Sequence, residues 1–374
     1  MPRLTKYSLL PPVAETVHPA AALPGGEVEL RGRNLGPGNT TVPVVLIDSI
    51  PAHVLMSRND RLRFTVPERT KSGITPSRIE VRNLDGSSLE SGLEAASEQT
   101  SHPRHADRNT LSLQVARELS DGLHPVTSHV VSRSGMIFAT ISGPRGKQTP
   151  VSIVRISPDG IGTPFVSGIL NPTGLAFNPD GELFVTSRAE GNVYRIDAGG
   201  EATIYAEGMG VATGAAFDRE GNLFVGDRNG TIFKIAPGSS SSAQNIFVYA
   251  TLEPSAAAYH LAVGADGTLY VTAPSLSPND CVWAIDREGT TSAWFRGLGR
   301  PQGLALDSDH NVYVAASLQG QRGLIRITPA GKAELVVAGS NLVGVAFSPL
   351  GTAILATNES VYDVNLGVSG LKLF

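Results

Sequence analysis

The stretch Asn171 to Ile196, NPTGLAFNPDGELFVTSRAEGNVYRI, recurs downstream as VATGAAFDREGNLFVGDRNGTIFKI, RPQGLALDSDHNVYVAASLQGQRGLIRI and NLVGVAFSPLGTAILATNESVYDV. Every copy keeps one internal order: a small or polar residue and Gly, a short apolar strand, a hairpin turn, a second strand, a loop and a third strand of V-Y-R-I type. Aligned on the small residue that opens the first strand, the copies fall at Ser128, Gly174, Gly214, His260, Gly303 and Gly344, with separations of 46, 40, 46, 43 and 41 residues. A repeat of about 40–45 residues carrying three or four strands is the length of one β-propeller blade, and six anchors predict six blades.

The second strands, MIFAT, LFVTS, LFVGD, LYVTA, VYVAA and AILAT, are rich in β-branched and aromatic residues, as suits sheets packed on both faces. The turns before them, RSG, PDG, REG, ADG, SDH and PLG, mostly supply the Gly that a short hairpin needs at its left-handed position. Third strands follow as IVRI, VYRI, IFKI, VWAI, LIRI and VYDV, and fourth strands are visible in ATIYAE, NIFVYA, SAWFRG and AELVVA. Ring closure requires the last edge to be paired. Two segments are placed to do it, Thr110 to Glu118 (TLSLQVARE) and the C-terminal LKLF. The 41 glycines and 25 prolines beside only 17% charged residues agree with many turns and few long helices.

Residues 1–88 read as another all-β module, with period-two alternation in EVELR, RLRFTV and RIEVR. The run PGGEVELRGRNLGP, then IDSIPAHVLMSRNDRLRFTVPE, then GITPSRIEVRNLDG resembles the IPT/TIG immunoglobulin-like domain. The residues that carry the resemblance are Gly25 and Gly26 before the first strand, Gly32 and Asn34 in the turn, Pro67 after a core strand, and Asn83 with Gly86 at the end. The resemblance implies a β-sandwich serving as spacer or second binding surface. Residues 89–109 lose the strand pattern and read as a linker, leaving 110–374 for the propeller.

A formal net charge of -4 gives no electrostatic reason for nucleic acid as partner. The single cysteine, Cys281, excludes an intrachain disulfide and reads as a structural thiol. No apolar run has the length of a signal peptide or a membrane span, so the expected location is cytoplasmic.

The blade core PTGLAFNPDGELFVTS resembles NHL-repeat propellers and, over most of residues 110–374, the superfamily of senescence marker protein (SMP-30) and gluconolactonase-like propellers. The lactonase members of that superfamily imply a divalent cation, calcium, magnesium or manganese, held by Glu, Asn and Asp just before the Gly that opens each inner strand. The matching positions here are Thr127, Thr173, Thr213, Tyr259, Gln302 and Val343, and none is a carboxylate or Asn. Neutral hydroxyls and one amide do not compensate a divalent charge, so no metal or other cofactor is expected, and one enters only under the alternative of a lactonase-like hydrolase. No catalytic residue is assigned.

The channel is expected to bind its ligand through a polar, largely neutral lining, Thr127, Thr173, Thr213, Gln302, Tyr259 and His260, with some basic neighbours. Arg188 and Arg228 follow the second strands of successive blades at equivalent points, and two guanidinium forks there suit a carboxylate or phosphate. The alternative is that they are solvated loop residues or pair with Asp227 and Glu190. Tyr259 and His260 put bulk where other blades have a small residue, either to stack on a ligand or to plug the pore. His129 is expected to be packed. The longest loops on the strand-opening face, Ser142 to Ser152, Ala273 to Cys281 and Ala316 to Gly323, are where specificity is normally built. The expected function is therefore a non-catalytic binding or scaffold protein that holds a protein segment or a small polar or anionic ligand.

Overall fold

The computed structural model of the chain describes residues 12–36, 43–68, 70, 76–82, 111–238, 245–277 and 279–374. Among the described residues all regular structure is β, and there is no α-helix. The chain divides into two compact units, Met1–Ala116 with Val337–Gly339, and Arg117–Val336 with Ser340–Phe374.

In the first unit, antiparallel pairing runs from Val13–His18 to Glu27–Arg33, Arg61–Thr65, Ile50–Arg58, Val44–Ile47, Ser77–Arg82 and Leu111–Val115. The alternation read in EVELR and RLRFTV is a burial pattern: Val28, Leu30, Leu62 and Phe64 are fully buried. Glu29 breaks that pattern. It is buried, and Arg31 and Arg63 partner its carboxylate at 2.9 and 3.3 Å. Asn34 takes the positive φ that its turn position predicts. The proposed linker, together with Asn83 and Gly86, lies outside the described residues.

The second unit is propeller-like. It contains four separate four-stranded antiparallel sheets, three of them built from consecutive strands that open at Val126–Val131, Pro172–Phe177 and Ala212–Phe217. The fourth consists of Leu342–Phe347, Ala353–Thr357 and Val361–Val364, and its outer strand is Arg117–Ser120 from the unit's other end. Arg117 reinforces this closure by donating to Asp363 at 3.0 Å and to the carbonyl of Pro158 at 3.1 Å. Of the described residues 111–118, only Arg117 and Glu118 take part in closure, because Leu111–Val115 pairs with Ser77–Arg82 instead.

Six separate sheets were expected from the period, and here the structure differs. The strands from His260–Val263 to Ala333–Ala338 belong to one larger sheet. Strand Thr291–Gly299 is nine residues long, and its end, still paired with Asp280 at Leu298, also pairs Leu298 and Gly299 with Leu318 and Ser317. The expected loop Ala316 to Gly323 is largely strand as well: Val312–Leu318 and Gln321–Ile327 leave a tight turn at Gln319 and Gly320, both at positive φ.

The hairpins between first and second strands follow the sequence closely. Gly135, Gly181, Gly221, Gly267 and Gly351 all sit near φ +82 to +86 at equivalent positions, and His310 occupies the sixth at φ 63. The cores lie between adjacent sheets. Ala176, Phe184 and Val193 of one sheet meet Ala215, Phe217 and Val225 of the next, with Phe184 edge-on to Phe217 at 4.9 Å.

Candidate functional site

The first strands of the successive repeats pack each against the next and the last against the first. Together they surround a cavity of about 950 Å³. Close approach of their backbones sets the width at the strand-opening end. A Cβ on Gly174 would lie 2.1 Å from the carbonyl oxygen of Thr213, and one on Gly214 would lie 2.4 Å from that of Tyr259. The repeated Gly is thus a packing requirement between neighbouring sheets.

The hydroxyls at this constriction are already committed. Thr127 Oγ1 is 2.8 Å from Thr140 Oγ1 and within reach of the Pro172 carbonyl at 3.2 Å. Thr173 donates to the carbonyl of Asn171 at 3.2 Å, and Thr213 donates to that of Gly226 at 2.9 Å while accepting from the Tyr259 amide at 3.0 Å. A second set of threonines, one strand outward, ties sheet to sheet. Thr140 donates to the Thr173 carbonyl, Thr186 to that of Thr213 and Thr272 to that of Gln302. Val343 contributes only its carbonyl, which accepts from Gly303. Among the described residues no three His, Cys, Asp or Glu side chains are grouped to hold a metal. A ring of neutral oxygens that are already hydrogen-bonded to the protein does not fit the divalent cation of the lactonase resemblance.

Of the two roles read for Tyr259, stacking on a ligand and plugging the pore, its burial leaves no face open for stacking. Its ring is fully buried in the cluster with Phe224, Ile232 and Leu261, and its hydroxyl donates to the carbonyl of Glu253. Burial, and the nearby Asp227 and Glu253, push the phenol up to about 12. His260 alternates to the opposite side, where the Gln302 side chain hydrogen-bonds its ring; burial nonetheless pushes it down to about 4. His129 is packed, as expected: Nε2 lies 3.0 Å from the carbonyl of Ile354, which fixes the ring proton on Nε2, and burial brings it to about 4.

On the strand-opening face, Arg228 and a third cation, Arg145, lie within electrostatic reach of Arg188. The Arg188 charge is disfavoured first by burial and then by Arg228 and Arg145. Arg188 donates from Nη2 to the carbonyl of Gly143 at 3.2 Å, while its buried Nε has no partner among the described residues. Arg228 reaches the carbonyls of Ser255 and Ala256 at 3.2 and 3.0 Å. Neither Asp227 nor Glu190 pairs with them. Asp227 accepts from the Val211 and Asn229 amides, and Glu190 accepts from the Tyr194 hydroxyl.

Asn171 organises this corner. It is 1% exposed and held at φ 46, and its amide spans the Gly143 to Lys147 loop, donating to the carbonyls of Gly143 and Pro144 and accepting from the Gly146 amide at 2.7 Å. Its own carbonyl accepts from the Arg188 amide at 3.2 Å. Asn171 opens the repeat in the sequence, where nothing marks it out as the brace of a neighbouring loop. Arg145 had no repeat partner to flag it. The Cys281 thiol is buried and pushed up by burial, in keeping with a structural role. No helix among the described residues is long and apolar enough to cross a membrane.

No protein-family profile matches the chain, and no curated protein does either. Solved structures do. A putative gluconolactonase is similar over 69% of this chain and 93% of its own, at 18% identity and a TM-score of 0.55. A Bacteroides thetaiotaomicron protein of unknown function is similar over 97% of this chain and all of its own, at 15% identity and a TM-score of 0.53. An auxiliary nutrient binding protein from the same organism covers 95% of this chain and 98% of its own, at 13% identity and a TM-score of 0.51. At these identities the likeness is one of fold: an all-β chain with a gluconolactonase-like, propeller-like arrangement.

Proposed function

We propose that the chain is a non-catalytic binding protein whose second unit is a six-bladed propeller holding a small anionic ligand, a carboxylate or phosphate, between Arg188, Arg228 and Arg145. In this reading the larger sheet counts as two blades, and the first unit is an IPT/TIG-like, immunoglobulin-like spacer. One observation carries it. Burial disfavours the charge on Arg188 and two further guanidinium groups, those of Arg228 and Arg145, add to that effect; the Arg188 Nε is buried without a partner, and no carboxylate among the described residues pairs with any of the three. Unpaired positive charge of that kind is costly without an anion and stabilising with one. Asn171 adds rigidity to the loop that carries Arg145, so the cluster is held before a ligand arrives. The lactonase alternative draws support only from fold likeness, and the hydroxyls at its metal positions are bonded within the protein.

Isothermal titration with inorganic phosphate and with citrate tests this reading. Each charge-assisted bond is worth about 1.5–3 kcal/mol, so the double variant Arg188→Ala with Arg228→Ala should bind roughly 100-fold or more weakly. Unchanged affinity for both anions would remove the anion site. Hydrolysis of gluconolactone in the presence of magnesium, calcium or manganese that is lost in Thr173→Ala would favour the enzyme.

A further inference from the structure

The second unit's cavity reaches the hairpin turns, and the chain's own segment Ser369–Phe374 lines its mouth there. Past the bond from the Gly303 amide to the Val343 carbonyl, the inner edge of a first strand is a template for an added strand. At Leu304–Leu306 one such edge is occupied. Leu371 donates its amide to the carbonyl of Leu306 at 2.9 Å, the Ser308 amide donates to the carbonyl of Ser369 at 2.8 Å, and Gly370 forms an antiparallel bridge with Asp307. From there the segment crosses the mouth. The Leu373 carbonyl accepts from Arg219 Nε at 2.9 Å, and the Arg133 guanidinium stands 6.0 Å over the Phe374 ring. Residues from the third sheet, the first sheet and the large sheet therefore hold one short peptide across the opening.

Two features give the contact the character of a docking site. It is sequence-selective, because a Cβ at Gly370 would come within 2.3 Å of the Phe347 Cβ, so only Gly fits there. It is also lightly held: the strand addition consists of two backbone hydrogen bonds, Leu371 and Leu373 are only partly buried, and Phe374 remains 42% exposed. We propose that the hairpin-side mouth is a peptide-acceptor slot working by strand addition, which the chain's own Ser369–Phe374 fills as an exchangeable plug. The partner it fits is an extended peptide with the pattern Gly-Leu-Lys-Leu-Phe, where Gly lies over Phe347, Leu pairs with Leu306 and the terminal aromatic sits under Arg133. This inference does not depend on the anion site at the opposite face.

The probe is an acetylated and amidated peptide of residues 367–374, GVSGLKLF, titrated into the chain shortened to residues 1–367 and into the full chain. The expected result is saturable one-to-one binding to the shortened chain, at least tenfold weaker binding to the full chain, and at least tenfold loss when the peptide carries Gly370→Val. Equal binding to both chains, or a shortened chain that is folded and does not bind, would overturn the proposal. If the shortened chain does not fold, the full chain with Gly370→Val replaces it. Hydrogen exchange at the Ser308 and Leu371 amides should then accelerate, and the peptide should bind. Unchanged protection together with no binding would overturn the proposal equally. Phosphate titration of the same variant, unaffected in either case, separates this outcome from failure of the anion site.

Discussion

At the scale of single residues, the two histidines of the inner strands set a pH dependence. His129 is 6% exposed, and burial lowers its folded-state value to about 4, against about 6.5 for an unfolded histidine. The unfolded chain therefore takes up the proton first as pH falls. Stability is complete above about pH 6.5, declines through the window down to about 4, and is not regained below it. Between pH 7 and pH 5 the loss attributable to His129 is about 2 kcal/mol; His260 adds a smaller share because it keeps some surface open to the cavity. Urea unfolding of the second unit at the two pH values should show this drop, and His129→Gln should shrink it by about half or more. A pH profile unchanged by the substitution would mean that another group carries the acid sensitivity. In the sequence His129 was legible as a packed residue only because it sits inside a strand. Its hydrogen bond to the Ile354 carbonyl joins two repeats 225 positions apart, and no local pattern reports such a pairing.

At the scale of elements, the strands were read where alternation and turn chemistry agree, and missed where Gly or Pro hides them. Leu183–Ser187, Asn192–Ile196 and their counterparts fall where the repeat put them. Gly162–Val166 escaped notice because Gly and Pro interrupt its run, although it pairs fully with Ile153–Ile156. The split at Ala116, with one strand going to each unit, follows from pairing partners and not from the segment's own sequence. Coupling between sheets is most concrete at Thr186, whose buried hydroxyl accepts from the Gly174 amide at 2.8 Å and donates to the Thr213 carbonyl. Thr186→Val keeps the shape and leaves two buried backbone groups unsatisfied, at about 1–3 kcal/mol each. The urea midpoint of the second unit should fall accordingly. Thr163→Val, at an exposed hydroxyl that bonds the Arg155 carbonyl at 3.3 Å, should change it by less than about 0.5 kcal/mol. Equal effects from the two substitutions would show that the inter-sheet bond contributes nothing special.

At the scale of the whole molecule, the net charge of -4 argues against attracting anions, so any anion binding has to come from local placement. The sequence showed two of the three arginines because repeat alignment put Arg188 and Arg228 at equivalent points. Arg145 and the Asn171 brace come from a loop whose fold depends on side-chain to backbone bonds, which a repeat alignment does not encode. Arg228 and Arg145 are exposed and Arg188 only partly so, which means two of the three charges are screened by salt while the third is sheltered. Phosphate affinity should therefore weaken several-fold between about 0.01 and 0.1 M sodium chloride, as the screening length drops from about 30 to 10 Å, without vanishing. Binding also stabilises the folded state by mass action, about 2.7 kcal/mol at phosphate 100 times its dissociation constant, or roughly 5–10 °C in the melting temperature of a domain this size. Sodium chloride at matched ionic strength should give no such rise, and neither should phosphate added to Arg188→Ala with Arg228→Ala. A rise of equal size from chloride, or one that persists in the double variant, would assign the stabilisation to general ionic strength and leave the arginine cluster without its ligand.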